Sequence, residues 1–535
     1  MVGRKLQLDM EKAGIHLPAA QRERMQELMN SSHHYAVAFN TALRDPRELG
    51  SVRVRRGLTG ATTTLPLDPG TVSSLLSSEP SAAVRKQVWQ AASRSPGSNV
   101  SLLEAMIGAR SEMARLLGQP SFSHLKATGA SLAERPEAIV AFLTQLANAV
   151  KPYADQECQE LAGGPGKQLQ PWDLDLALAR ARSRAAHQGL TVSRSLLENY
   201  TQLTSVLDGL AALTQQLLGI RLSWQPAAGG EAWAPGVIKV EAQHAEEGHL
   251  GTVFLDLVSR PGKYPSAVTF PIRCGRELEG GKYQAPIMVL SADFGPPGSS
   301  AAGVVLGARE LRVLLHEWGH CLHNLASRTR YQHHWGTRCA QDMVELPSLL
   351  WEKFASDPRS LALLARHRTT RDPLPDGLAA AMCADRSHFW AIDLQQQVLL
   401  SLADQRLFGA PEVPAGGTSD AWRHAVEPHS SLPWITGSHP EARFGHLTIY
   451  AATYYAYVYA RCLSSAVWNK LLAQDPLDPQ AGEAVRRGLL RPGGGMEPVE
   501  QLQALLGPQA LQQHPGSGGW APPAETLLVS CMAQK

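Results

Sequence analysis

Apolar residues recur along the first third of the chain at the three- and four-residue spacing of helices that bury one side. In SLLEAMIGARSEMARLLG, Leu103, Met106, Ile107, Met113 and Leu117 share a face, and Gly118 and Pro120 predict its end. Pro136 stands where a first-turn proline belongs, and Ile139, Phe142, Leu143, Leu146 and Val150 line the buried side of the helix that follows. The pattern predicts a helical wall packing on itself, with no chemistry of its own. Between about Trp224 and Phe294 the period changes. Short β-rich runs (VIKVEA, TVFLDL, AVTF, IMVL) alternate with Gly and Pro clusters such as PGKYP and EGGKY. They predict a small antiparallel sheet of three to five strands at about 236–292. Helical periodicity returns after Gly303 and persists to about Leu506, broken by GAPEVPAGGTSD and RPGGGMEP. The tail QQHPGSGGWAPPAE is expected to be loose. No internal repeat is seen.

Length changes this picture first: 535 residues imply two to four domains or one large multi-lobed protein, and a 44% apolar share can fill large cores. A formal charge of +2 lacks the basic excess of a nucleic-acid binder. The seven cysteines are scattered and form no C-x-x-C pair, which argues against a disulfide framework and for a reducing compartment. No apolar run reaches the roughly 18 to 20 residues of a membrane span. The opening MVGRKLQLDMEKAG has no apolar core of a secretory signal, and Asp9 and Glu11 are out of place in a transit peptide. GPPGSS, from Gly295, starts like a phosphate-binding loop but lacks the Gly-Lys-Ser/Thr ending, so it reads as a turn before a helix.

Chemistry enters at VLLHEWGHCLHNLASR. His316, Glu317 and His320 form H-E-x-x-H, which on a helix turns both imidazoles to one metal ion and leaves Glu317 beside it as a base. Leu311, Leu314, Leu315, Trp318, Leu322 and Leu325 supply apolar flanks. A catalytic zinc ion normally keeps a third protein ligand and an open position. The histidine of one common pattern would fall at Ala326, and a glutamate about 19 residues after His320 would fall near Cys339. Glu345, in DMVELPSLLWE, is the next candidate. Asp342 and Glu352, three before it and seven after, could each hold the outer nitrogen of a ligand histidine if all share a helical face. Pro347 then predicts a kink just after Glu345. His323, His333 and His334 read as structural.

The words HEWGHCLH, TRYQHHWGTRC and DMVELPSLLWE, together with LDLVSRPGKYP and GGKYQAP, resemble the thimet-oligopeptidase family of zinc metallopeptidases over about Leu49 to Leu506. The resemblance implies one zinc ion per chain on His316, His320 and Glu345, with Glu317 as catalytic base. It also implies that His446, Tyr454 and Tyr457, in FGHLTIYAATYYAYVYARCLS, face the ion across a cleft, with Tyr450 a further candidate. A tyrosine hydroxyl there can donate to a developing oxyanion, and a histidine can hold the substrate backbone.

The fold it implies is mainly α: a two-lobed helical metallopeptidase with a deep central channel and a small antiparallel β region. The lobes are expected at 1–223 and 224–535, the second carrying the zinc site. Its branch of the family implies a monomer in the mitochondrial matrix, or otherwise the cytosol, that removes an octapeptide from imported precursors. The rival readings are a general oligopeptidase acting on short free peptides and a non-catalytic relative that only binds them. Peptide or unfolded precursor is the partner, with no nucleic acid and no membrane span. Two departures stand out. Thr448 and Ile449 replace the family's glycine after the histidine, which predicts a stiffer loop. The chain is also expected to begin inside the family's N-terminal helical lobe, without a presequence or much of one channel wall.

Overall fold

Pro18 starts a long helix, α1 (Ala19–Ala42), against which α2 (Ser98–Leu116) packs. Leu103, Met106 and Ile107 of α2 are fully buried, and the helix stops where Gly118 turns left-handed at φ +68°. These are residues of a computed structural model that describes 2–56, 61–187 and 197–532. Helix α3 (Pro136–Leu161) has its proline in the first turn and buries the whole predicted face. Helix α4 (Leu203–Leu218) ends on Gly219 in the left-handed conformation and leads straight into the sheet.

That sheet has five strands: β1 (Ile220–Pro226), β2 (Ile238–His244), β3 (Gly248–Val258), β4 (Val268–Arg273) and β5 (Ile287–Phe294). Their spatial order is β1-β2-β3-β5-β4. The antiparallel expectation holds with one exception, since β3 and β5 run parallel, with Thr252 opposite Ile287. The reason is topological: β4 lies on the outer side of β5, antiparallel to it, so β5 returns beside β3 in the same direction. Central β3 is buried from Leu250 to Leu257, whereas edge strand β4 is largely exposed.

Four further helices build the site: α5 (Ala308–Ala326) packs on β3, β4 and β5 of the sheet, α6 (Leu346–Glu352) packs on α5, and α8 (Tyr455–Val467) packs on α6 and on α7 (Trp390–Phe408). One continuous core joins residues from Ala127 to Cys531, and a second cluster packs α1 and α2 against α7 and the segment Leu447–Ala452. The tail is not loose. Gln512–Gln513 pair with Trp520–Ala521, and Leu511, Ala524, Leu527 and Cys531 are buried. Its Gly and Pro residues make the turns, while these apolar side chains dock against the core. No helix among the described residues is long and apolar enough to cross a membrane.

Candidate active site

Helix α5 presents two faces. Leu311, Leu314, Leu315, Trp318, Leu322 and Leu325 are buried, and the Trp318 indole N–H donates to Thr214 of α4 at 3.1 Å. This fixes the helix's rotation and turns His316 and His320 the other way, their rings 5.0 Å apart and nearly perpendicular. A Cβ on Gly319 would lie 2.6 Å from Ser348 Cα and 2.7 Å from the Pro347 carbonyl oxygen. The start of α6 therefore rests on bare backbone, and Glu345 reaches both histidines.

Glu345 is the residue just before α6, so Pro347 sits in the helix's first turn. There its missing N–H was never needed, and the expected kink does not form. For the same reason Asp342, Glu345 and Glu352 do not share a helical face. Asp342 lies in a preceding turn, Gln341–Met343, and is fully buried. It accepts the backbone N–H of Leu132 at 2.7 Å and of Ala133 at 3.0 Å, and the Tyr455 hydroxyl at 3.2 Å. Glu352 takes the role considered for either acid: its Oε1 lies 2.8 Å from His316 Nδ1.

The Nε2 atoms of His316 and His320 each lie 3.3 Å from Glu345 Oε2, and the three residues' ligand atoms fall within 4.8 Å of one another. A tetrahedral ion with bonds of about 2.0–2.1 Å sets its ligand atoms roughly 3.3–3.4 Å apart. The donor set thus fits a metal ion in both chemistry and spacing. Among the described residues this is the one such cluster. His323 is not part of it: it is buried in α5, and burial, with His320 nearby, pushes its imidazole down to about 3. Burial opposes charge on His316 too, but Glu345 and Glu352 outweigh it and raise that imidazole to about 10. Burial likewise works against the Glu345 carboxylate, yet the two histidines hold it well below the usual range.

Glu317 is 7% exposed and stands outside the ligand set. Thr269, on edge strand β4, donates its hydroxyl to Glu317 Oε2 at 2.8 Å. Sequence alternation gave no hint of this contact, because it says which side a strand residue faces and not what it meets.

His446, Tyr450, Tyr454 and Tyr457 form one ring cluster. His446 stacks on Phe444 at 5.3 Å and lies 5.7, 5.1 and 6.2 Å from Tyr450, Tyr454 and Tyr457. Burial raises the Tyr457 hydroxyl well above its ordinary value, and the Glu345 and Glu317 carboxylates add to the effect. The Tyr454 hydroxyl instead donates to Gln397 Oε1 at 2.9 Å, and burial pushes it up to about 12. Tyr450 is half exposed. On the same helix, Tyr455 and Tyr459 point into the core. Gln397 was missed in the sequence, where AIDLQQQVLL shows nothing but helical spacing.

Comparison with known proteins finds likenesses along most of the chain. The sequence pattern of "Peptidase family M3" matches residues 75–514. Mitochondrial intermediate peptidase of Arabidopsis thaliana is 33% identical over 98% of this chain and 78% of its own length. The Homo sapiens protein of that name is 31% identical over 93% of this chain and 70% of its own. Among solved structures, an oligoendopeptidase F covers 96% of the chain and is itself covered to 76%, with a TM-score of 0.54 at 14% identity. A peptidase from Chlamydophila abortus covers 97%, is covered to 73%, and has a TM-score of 0.53 at 14% identity. These two likenesses speak for the fold: mainly helical, two-lobed, with a small sheet.

Proposed function

The chain belongs to peptidase family M3, and on that premise we propose a monomeric zinc metalloendopeptidase that removes an octapeptide from imported precursors in the mitochondrial matrix. That it is a metallopeptidase, a hydrolase of peptide bonds, follows from the family. The observation that supports the rest is local: two histidine nitrogens, each 3.3 Å from one Glu345 oxygen as a tetrahedral ion would set them, beside a buried carboxylate that is not one of the three ligands. The precursor assignment draws on relatives named mitochondrial intermediate peptidase.

In this reading His316, His320 and Glu345 would hold the ion, which when bound would supply Lewis acidity for the scissile carbonyl and for an attacking water. Glu317 takes the proton from the attacking water and returns it to the leaving amine, with the Thr269 hydroxyl fixing its carboxylate. The Tyr457 hydroxyl donates to the carbonyl oxygen as it becomes negative, while Tyr454 and His446 line the opposite wall and hold the peptide backbone. Glu352 keeps His316 oriented through its outer nitrogen.

Product mapping tests the substrate. Incubated with a once-cut mitochondrial precursor and with an equimolar mix of short free peptides, the protein should shorten the precursor's N-terminus by eight residues. Cleavage confined to the free peptides would replace this reading with a general oligopeptidase.

Two further outcomes are expected. Tyr457→Phe should lower kcat by about 10²-fold with little change in KM, because the hydroxyl acts mainly in the transition state. An unchanged kcat in both Tyr457→Phe and Tyr454→Phe would return these rings to the cleft lining. Zinc uptake should also release protons. With His316 raised to about 10, the imidazole carries a proton below that pH and the ion must displace it. Affinity should therefore rise with pH, by about tenfold per unit for one displaced proton. Chelator competition between pH 6.5 and 8.5 reads this directly, and a flat profile would show that the histidine is already neutral.

A further inference from the structure

From Leu447 to Tyr454 the backbone is gripped by polar residues distant in sequence. Arg110, on α2, is 8% exposed. Its guanidinium donates to the carbonyls of Leu447, at 2.8 Å, and Thr448, and to the Ser32 hydroxyl at 3.1 Å. Asn40, on α1, donates to Thr448 Oγ1 at 2.8 Å, and that hydroxyl donates to the Gly445 carbonyl at 2.7 Å. From the opposite side comes α7. Asp404, with no exposed surface, accepts the N–H of Ala452 at 2.8 Å and of Tyr454 at 3.1 Å, and Gln405 donates to the Ala452 carbonyl at 2.9 Å. Between the two grips Ala452 sits at φ +62°, a left-handed conformation that a residue with a Cβ rarely adopts without being held there.

A buried guanidinium and a buried carboxylate are expensive ways to pack a turn, since apolar side chains would fill the space without desolvating charge. The desolvation is visible in both: burial pulls Arg110 down to about 10 and pushes Asp404 up to about 7. What the two charges hold in common is this one segment, which follows directly on His446, carries Tyr450 and Tyr454, and runs into Tyr457. Thr448, where the family's glycine was expected, is 2% exposed and forms part of the grip.

Building on the assignment of Tyr457 and Tyr454 made above, we propose that Asp404 and Arg110 are positioning residues. They fix the backbone of 447–454 so that the ring cluster faces the ion ligands, and Asn40 and Thr448 extend that hold to α1. They touch no reacting atom. The stiff loop that Thr448 predicts is thus a loop held in its working place.

The test is kinetic, on the full chain loaded with zinc. Asp404→Asn and Arg110→Lys should each lower kcat by about 10-fold or more, with KM within about threefold of the parent and zinc content unchanged. In a Tyr454→Phe/Tyr457→Phe background the same changes should have little further effect, because a positioning residue acts through the groups it positions. Should the buried charges prove necessary for folding, Thr448→Val and Asn40→Ala carry the test. Each should lower kcat several-fold, and Thr448→Ser should restore it. Parent-like kcat in all four variants overturns the proposal, as does a loss that multiplies undiminished in the double-Phe background. A double-Phe protein that cleaves like the parent overturns both this inference and the tyrosine assignment beneath it, and is told apart by needing no change at Asp404.

Discussion

Glu317→Gln should leave a protein that binds zinc stoichiometrically, binds peptide normally, and turns over at least about 10²-fold more slowly. The substitution keeps the side chain's size, and its remaining oxygen can still accept the Thr269 hydroxyl that now lies 2.8 Å from Glu317. It leaves the ligand cluster alone, since Glu317 is not a member. What disappears is basicity beside the attacking water. Elemental analysis of the purified protein and steady-state cleavage of a quenched fluorescent peptide separate the two properties. A metal-loaded Glu317→Gln chain working at the parent rate would end the mechanism proposed here. A parent chain that holds zinc and peptide but never cleaves would favour the non-catalytic reading.

The second large effect concerns the ion itself. Glu345→Ala or His320→Ala should yield protein with little zinc and no measurable cleavage, because two remaining donors cannot close a His₂Glu site. The fold should survive. Neither residue belongs to the continuous apolar core, and α5 is anchored on its far side by Trp318 and its leucine neighbours. The loss should be of content and not only of rate, so dialysis followed by metal analysis is the measurement. Stoichiometric zinc retained by the doubly substituted protein would show that the ligands have been misassigned.

Much of this site could be read in the chain before its structure, and the physical reason differs from residue to residue. His316 and His320 are four apart on a helix, so their convergence is local geometry. The buried faces of α2 and α3 are legible for the same reason, as are the strand runs. Glu345 is a different case. Spacing made it only the next candidate ligand and the family resemblance assigned it, while choosing between Asp342 and Glu352 for a histidine's outer nitrogen required knowing where α6 begins. Reading Pro347 as a kink inside a helix put Asp342, Glu345 and Glu352 on one face; as a first-turn proline it leaves Asp342 free to turn toward Leu132 and Ala133. Thr269, Gln397, Asp404 and Arg110 were beyond reach altogether. Arg110 looks like the solvent face of an amphipathic helix, and its partners lie 337 and 338 positions away. A polar residue buried by tertiary contact leaves no periodic trace. The tail misled in the opposite sense, because its Gly and Pro content describes turns and is silent about Leu511 and Leu527, which dock.

The bare contact at Gly319 has a consequence for how variation in this chain is interpreted. Because an added Cβ would lie well inside van der Waals contact of Ser348 Cα and the Pro347 carbonyl, the position tolerates no added volume. Even a methyl group would have to push the ligand-bearing helix and the start of α6 apart. In a saturation scan scored by activity, residue 319 would therefore show the same intolerance as the ligands on either side of it. That intolerance would record a shortage of space. A map of essential positions drawn from such a scan would place a catalytic residue where there is no side chain at all, and only a scan scored by ion content at graded side-chain size would tell the two kinds of necessity apart.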